Sequence, residues 1–341
     1  VKAVYKPVFN YQIETDITDQ SGEMQTGTAN VSIGYHSLDV NMDIPSTIEK
    51  NELDKYTVSA TNLSGESQNA EVTVDVWKLI PNERILRKRK WQSPDQFYLK
   101  QAEYEQQFPN DAYTDEGDFQ TWKKEKNVLR SVVKTVESNE VNFSSISNNE
   151  QGYYLVELTG KDAFGTEVIQ KQYYNLVDAE NKTLPFTATS WFYALQDKYE
   201  PGQTLEFLVG SSYALVDFLI EIEVKEKGFN TNRLIYAKKV SAAGTQQKIS
   251  IPVTEEWRGN AQIHVTAIQN NELLSWSKTI SVPYTNKQLD VKLETFRKEM
   301  SPDDKEEWTV KIADKSGKTA KAELLTTMYD ASLDVLAANK W

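Results

Sequence analysis

The stretch Tyr56-Thr57-Val58-Ser59-Ala60, with Asn62, Ser64-Gly65 and Ala70-Glu71 after it, is written a second time as Trp308-Thr309-Val310-Lys311-Ile312, Asp314, Ser316-Gly317 and Ala322-Glu323. The copies lie 252 positions apart, with no gap between matching residues. Aromatic, Thr, Val, Asx, Ser-Gly and Ala-Glu at identical spacing mark an internal repeat. Within the first copy Tyr56, Val58 and Ala60 alternate with Thr57 and Ser59, the period of two expected of a strand with one buried face. Asn62 and Gly65 suit the positive φ of a tight turn. Val72-Thr73-Val74 and Leu324-Leu325 then read as return strands. Upstream, Leu38 to Met42 is echoed by Leu289 to Leu293, one residue out of register. Pro201-Gly202 with Phe207 and Val209, and Pro302-Asp303 with Trp308 and Val310, are a further pair 101 positions apart, about the length of one small β domain.

The 341 residues give room for two or three domains. Aromatic residues make up 11 %, with 17 Tyr and 8 Trp, which favours strands over helices. The formal charge of −12 argues against nucleic acid or an anionic membrane as partner, because neutralising phosphates needs a basic surface. There is no cysteine, so disulfides, thiolate metal sites and thiol nucleophiles are excluded within these residues. No apolar run approaches the roughly 18 residues of a membrane span. The chain opens at Val1 without a start Met or signal peptide, and we expect it to be a segment of a longer protein.

Four parts are expected. Residues 1–36 read as the last strands of a preceding domain, with a hairpin turning at Asp19-Gln20-Ser21-Gly22. Residues 37–180 read as a seven-stranded sandwich interrupted by an insertion at 80–127. Residues 181–284 read as a second seven-stranded sandwich with no insertion, after a polar linker at Asp178 to Lys182. Residues 285–341 read as the opening strands of a third unit, near Leu289, Lys305 to Ala313 and Thr319 to Tyr329. Seven short alternating strands need a second sheet to cover them, so the fold class is all-β: tandem antiparallel β-sandwiches.

The insertion breaks the pattern. Ser93-Pro94-Asp95-Gln96 reads as a helix start, with Ser93 as N-cap and Gln96 completing a capping box. A helix from there to Phe108 would bring Phe97, Tyr104 and Phe108 near one side and stop at Pro109. Trp91 and Trp122 are expected to pack it onto the sandwich. The run Arg84-Ile85-Leu86-Arg87-Lys88-Arg89-Lys90 could hold phosphate or a polyanion. The insertion also carries Glu103, Glu105, Asp111, Asp115, Glu116 and Asp118, so we expect the run to be solvated or internally paired.

No catalytic, cofactor-binding or metal-binding residue can be assigned. His264, between Ile263 and Val265, shares a strand face with Gln262 and reads as solvent-facing, and His36 has no carboxylate at triad or metal spacing. There is no phosphate loop, nucleophile elbow or His-Glu-x-x-His. Asp303-Asp304 and Glu306-Glu307 lack the spaced oxygen ligands of a calcium loop. Catalysis within these residues is not expected.

Tyr199-Glu200-Pro201-Gly202-Gln203, Val282-Pro283-Tyr284-Thr285-Asn286-Lys287, Phe108 to Tyr113 and above all Met328-Tyr329-Asp330-Ala331-Ser332-Leu333-Asp334 resemble bacterial alpha-2-macroglobulins. The resemblance implies a row of seven-stranded macroglobulin domains in an endopeptidase inhibitor. In that family a bait segment is cleaved, the molecule rearranges around the protease, and in many members a thioester couples to it. It implies target proteases and neighbouring macroglobulin domains as partners, and an exported protein of the periplasm or cell envelope with a lipid anchor possible in the full-length form. Residues 285–341 would match the start of the bait-carrying domain. A thioester needs Cys-x-x-Gln, and no bait or thioester residue carries over to this numbering. The expected function is a non-catalytic scaffold for a bait lying elsewhere. The alternative is an adhesion or carbohydrate-binding β-sandwich array.

Overall fold

The computed structural model describes residues 7–225, 231–295, 305, 307–315 and 317–326. Its first element is a ribbon of β1 (Phe9–Thr18) and β2 (Met24–Ile33), paired antiparallel around the Asp19 to Gly22 turn. Next come β3 (Asp39–Met42), β4 (Thr47–Glu49), β5 (Lys55–Thr61), β6 (Glu71–Leu79), α1 (Gln101–Gln107), β7 (Lys124–Lys134), β8 (Glu140–Asn142), β9 (Gly152–Lys161) and β10 (Glu167–Val177). They form a three-stranded sheet, β3-β5-β8, facing a five-stranded sheet, β4-β10-β9-β6-β7. Alternation puts Val40, Met42, Val58 and Ala60 on one inner face, and Val72, Val74, Val76, Val156, Leu158 and Leu176 on the other, all buried in one core.

The second sandwich comprises β11 (Trp191–Ala194), β12 (Thr204–Gly210), β13 (Val216–Lys225), β14 (Asn232–Ala242), β15 (Gln246–Pro252), β16 (Ala261–Gln269) and β17 (Glu272–Ile280). Sheet β11-β12-β15 covers sheet β14-β13-β16-β17. Leu205, Phe207 and Val209 meet Phe218, Ile220, Ile222, Ile263 and Val265 in a separate core. Last come β18 (Leu289–Thr295) and β19 (Thr309–Asp314), an antiparallel pair. The all-β sandwich class is as expected.

The repeat has a local physical cause. In the first copy the amide of Gly65 donates to the Asn62 carbonyl, Asn62 N–H donates to Glu66, and Asn62 Oδ1 accepts from Ser64 and Glu66. In the second, Gly317 donates to Asp314, Asp314 N–H donates to Lys318, and Asp314 Oδ1 accepts from Lys318. Gly65 and Gly317 sit at φ of 85° and 82°, where a side chain would be strained; Asn62, against expectation, does not take positive φ and serves the turn through its side chain. The same turn recurs at Asp162 to Gly165 and Asp19 to Gly22.

Several expectations are corrected. The turn after β5 does not make a hairpin, because β6 lies in the opposite sheet and only a Thr61–Ser67 bridge pairs locally; Ala313–Thr319 repeats that bridge. The first sandwich has eight strands, the extra one being three-residue β4, parallel to β10 and too short to show a period. Strand β7 starts at Lys124, so the insertion ends before it. In the second sandwich β11 starts at Trp191, since Phe186 is used in packing instead. Residues 320–326 form no strand, while Pro302, Asp303, Asp304, Glu306 and the Met328 to Asp334 run lie outside the described residues.

The helix is shorter than the Ser93 signal predicts: α1 starts at Gln101, with Glu103 accepting from the Lys100 N–H. Tyr113 donates its hydroxyl to the Leu99 carbonyl and packs its ring on Phe97 at 4.3 Å, so residues before Lys100 are held by tertiary contacts in a non-helical path. The three aromatics do cluster, through Tyr113, with Tyr104 between Phe108 at 5.0 Å and Tyr113 at 5.4 Å. Trp122 stacks edge-on against Tyr153, whereas Trp91 is 71 % exposed and packs nothing onto the sandwich.

Candidate functional site at the module junctions

The segments between the cores are short, polar and fastened at both ends. The first is Asp178 to Thr183. Gln246, 3 % exposed at the start of β15, donates its amide to the carbonyls of Asp178 (3.0 Å) and Asn181 (2.7 Å). From the first sandwich, Gln151 donates to the Thr183 carbonyl at 2.7 Å and accepts from the Asp178 N–H. Lys50 pairs with Asp178, and Lys248 with Glu180. A polar linker would ordinarily be solvated and mobile; here two glutamines, one from each sandwich, hold its backbone.

An apolar seam lies beneath it. Val177, Ala179, Trp191 and Leu208 are buried together, with Leu184, Phe186, Tyr193 and Leu195 packed around them. Val177 and Leu208 are outward-facing strand residues that bury against the neighbouring module instead of meeting water. Rings extend the seam: Phe119 stacks on Tyr153 at 4.4 Å, Tyr153 meets Phe186 at 4.9 Å, Phe186 meets Trp191 at 5.5 Å, and Trp191 stacks on Tyr193. Burial pushes the Tyr193 hydroxyl up to about 12, so it stays neutral in this apolar setting. A Cβ on Gly152, at φ 135°, would sit 3.1 Å from the Pro185 carbonyl, so the linker approaches β9 too closely for a side chain.

The insertion crosses the same seam. Ile85 packs against the second core. Arg84 pairs with Glu105 and Glu116, Arg87 makes a bidentate pair with Asp111, and Arg89 donates to the Ala112 and Tyr113 carbonyls. Those arginines are internally engaged, as the near-balance of charge suggests. Burial alone would raise the Glu116 carboxyl, but backbone N–H donors, its own and those of Thr114 and Tyr113, together with the Thr114 hydroxyl, hold it below the ordinary value.

The second junction is Val282 to Lys287. Arg258, whose side chain is 9 % exposed, reaches the Pro283 carbonyl, Thr285 Oγ1 and Glu200 through Nη1, and Glu255 through Nε and Nη2. Glu255 and Glu200 raise the arginine's already high pKa, so it stays charged. Thr285 donates to Glu200 at 2.8 Å, and the Tyr284 hydroxyl donates to the Arg258 carbonyl over Gly259.

The histidines stay apart from these features. His36 Nδ1 lies 2.8 Å from the Leu38 carbonyl, and His264 is half-buried on the outer face of β16 opposite Glu221 and Ser277. Among the described residues no group of three or more His, Asp or Glu is placed to hold a metal ion, and no helix is long and apolar enough to cross a membrane. Sequence reasoning missed Gln151, Gln246 and Arg258. Only Tyr199 to Gln203 and Val282 to Lys287, singled out for resemblance, pointed at the second junction.

Comparison with known proteins bears on the second half of the chain. No curated protein matches it. Among solved structures, trypsin-activated alpha-2-macroglobulin from Escherichia coli is 11 % identical, over 90 % of this chain and 21 % of that one, with a TM-score of 0.27. Salmonella alpha-2-macroglobulin reacted with methylamine is 13 % identical, over 92 % and 19 %, at 0.31. A tetra-tandem repeat from the extending region of a large adhesion protein is 11 % identical, over 81 % and 57 %, at 0.24. This chain thus spans about a fifth of the two macroglobulin structures, and at such scores these likenesses carry no argument. A family model for the alpha-2-macroglobulin bait region domain matches residues 193–336, from within β11 through β19 and beyond, so the likeness to that domain begins inside the second sandwich and not at 285 as expected. The alpha-2-macroglobulin resemblance read from the sequence is therefore shown by a match over residues 193–336 to the bait region domain of that family.

Proposed function

We propose that this chain is a non-catalytic scaffold segment of an alpha-2-macroglobulin-like protease trap, an endopeptidase inhibitor whose bait and any thioester act outside the residues described. The observation that carries this reading is the pair of clamped junctions, taken with the bait-region match. A trap sprung by cleavage has to convert a local cut into movement of whole modules, and freely jointed modules would dissipate it. A linker held by Gln151 and Gln246 transmits force between sandwiches. The units on this reading are 1–36, 37–180, 181–284 and 285–341, acting on target proteases through the full-length protein in the periplasm or cell envelope.

Two experiments test it. The purified chain, titrated against trypsin, leaves protease activity unchanged; dose-dependent trapping would contradict the scaffold role. In the full-length protein, combining Trp191→Ala with Gln246→Ala lowers the amount of protease retained while leaving bait cleavage intact. Normal retention would overturn the mechanical part of the reading. A second reading, an adhesion or carbohydrate-binding array, draws on the exposure of Trp91 and Tyr98. Glycan pull-down separates it from the first.

A further inference from the structure

Internal pairing accounts for the arginines of the basic run but not for its lysines. Among the described residues no ion pair or hydrogen bond engages the side chains of Lys88 or Lys90. The two flank Arg89, which is anchored by backbone carbonyls and faces no carboxylate partner. These three and Arg87 line a cavity of about 150 Å³, walled by the Trp91 and Tyr104 rings. Its far side belongs to the other sandwich: Asn271 and Glu272, at the tip of the β16–β17 hairpin, where Asn270 and Asn271 both take positive φ and set a tight turn. With Asp111 and Glu272 as its only acidic lining residues against four cations, the cavity carries an excess of two positive charges on a chain whose net charge is −12.

We propose that this inter-module cavity binds a phosphate group carried by a small molecule or a lipid headgroup. A phosphate monoester brings close to two negative charges and three strong acceptor oxygens, matching the local excess. Arg89 supplies a guanidinium anchored by backbone carbonyls, while Lys88 and Lys90 supply ammonium groups on flexible stems. The exposed indole of Trp91 gives the remainder of the ligand a face to lie on. Because the cavity has walls from both sandwiches, an occupant ties the insertion to the second module and stiffens the seam. Binding only to the folded arrangement stabilises it by mass action. The inference rests on the insertion and the β16–β17 hairpin it faces, and stands or falls independently of the trap reading.

The test uses the whole chain. Inorganic phosphate is titrated at constant ionic strength against chloride, following tryptophan fluorescence and thermal midpoint. In parallel, vesicles of phosphatidylcholine with and without phosphatidic acid are co-sedimented with the protein. The same series is run on Lys88→Ala/Lys90→Ala, whose two exposed positions leave the fold intact by circular dichroism. Saturable phosphate binding that weakens about tenfold or more in the double variant, the order expected when charge-assisted hydrogen bonds are lost, supports the site with a soluble ligand. Retention by phosphatidic acid vesicles alone, lost in the double variant, supports it with a lipid headgroup. No response in either arm, or a response the double variant keeps in full, overturns it.

Discussion

At the first junction the linker carbonyls of Asp178 and Asn181 are held by the Gln246 amide over a buried apolar seam, whereas at the second the Pro283 carbonyl is held by the Arg258 guanidinium inside a set of carboxylates. Both fix a chain segment between modules, but the forces differ. The first relies mainly on hydrophobic burial and neutral hydrogen bonds, which salt barely weakens and which strengthen in water-excluded surroundings, the Lys50–Asp178 and Lys248–Glu180 pairs adding a smaller, screenable part. The second relies on charge: Arg258 is largely covered but its partners Glu200 and Glu255 stay exposed, so salt screens it in part, over about 8–10 Å at moderate ionic strength. The first joint is therefore the stiffer one under most conditions, and the second is the one that solution conditions can loosen.

The largest expected effect comes from removing the ring at the centre of the seam. Trp191→Ala destabilises the protein by about 3 kcal/mol, the low end for a buried Trp, in urea unfolding. It also broadens the scattering profile as the sandwiches come apart. A loss below about 1 kcal/mol would mean that the seam contributes little. Gln246→Ala comes next, at about 1–2 kcal/mol, because two linker carbonyls lose their donor in a buried place. Both effects should be insensitive to salt.

Changes at the second joint should be smaller in global stability and visible locally. Arg258→Ala speeds tryptic cleavage after Lys287 roughly tenfold, as the charge-assisted bonds holding the segment are lost. High salt produces part of the same change in the unaltered protein. Equal cleavage rates for the two proteins would remove the charged clamp from the account.

Acid should act on the insertion. The Glu116 carboxyl is held below its ordinary value, so the folded state binds its proton less tightly than the unfolded chain does. Its contribution is thus complete above the ordinary glutamate value and is lost as pH falls through the lowered one. Trp122, whose Nε1 donates to the Glu116 carbonyl, reports the loosening by fluorescence, and Glu116→Gln removes the acid step. At the bottom of the scale, Tyr98→Ser, at a residue 97 % exposed, changes stability by no more than about 0.5 kcal/mol.

What could be read from the chain follows the reach of the interactions. Strands with one buried face announce themselves through alternation, so Tyr56 to Ala60 and Ala261 to Gln269 were legible, and the Asx-x-x-Gly turns announced themselves through Asn62 and Gly65. Strand β4 is three residues long and exists because β10 offers it an edge, a cause more than a hundred residues away. Ser93-Pro94 is a sound local helix start that loses to Tyr113, which takes the Leu99 carbonyl. The junction residues were the least legible. Gln151, Gln246 and Arg258 look like ordinary surface polar residues until the linker partners 25 to 68 positions away are placed beside them.

The central claim is that the first junction sets one fixed relation between the sandwiches. The chain has no cysteine, so Lys171→Cys and Lys238→Cys, both exposed, place a single pair of spin labels on the two modules. The account predicts one narrow distance distribution by double electron–electron resonance, unchanged between low and high salt. A broad or multi-peaked distribution in the otherwise unaltered protein would contradict it.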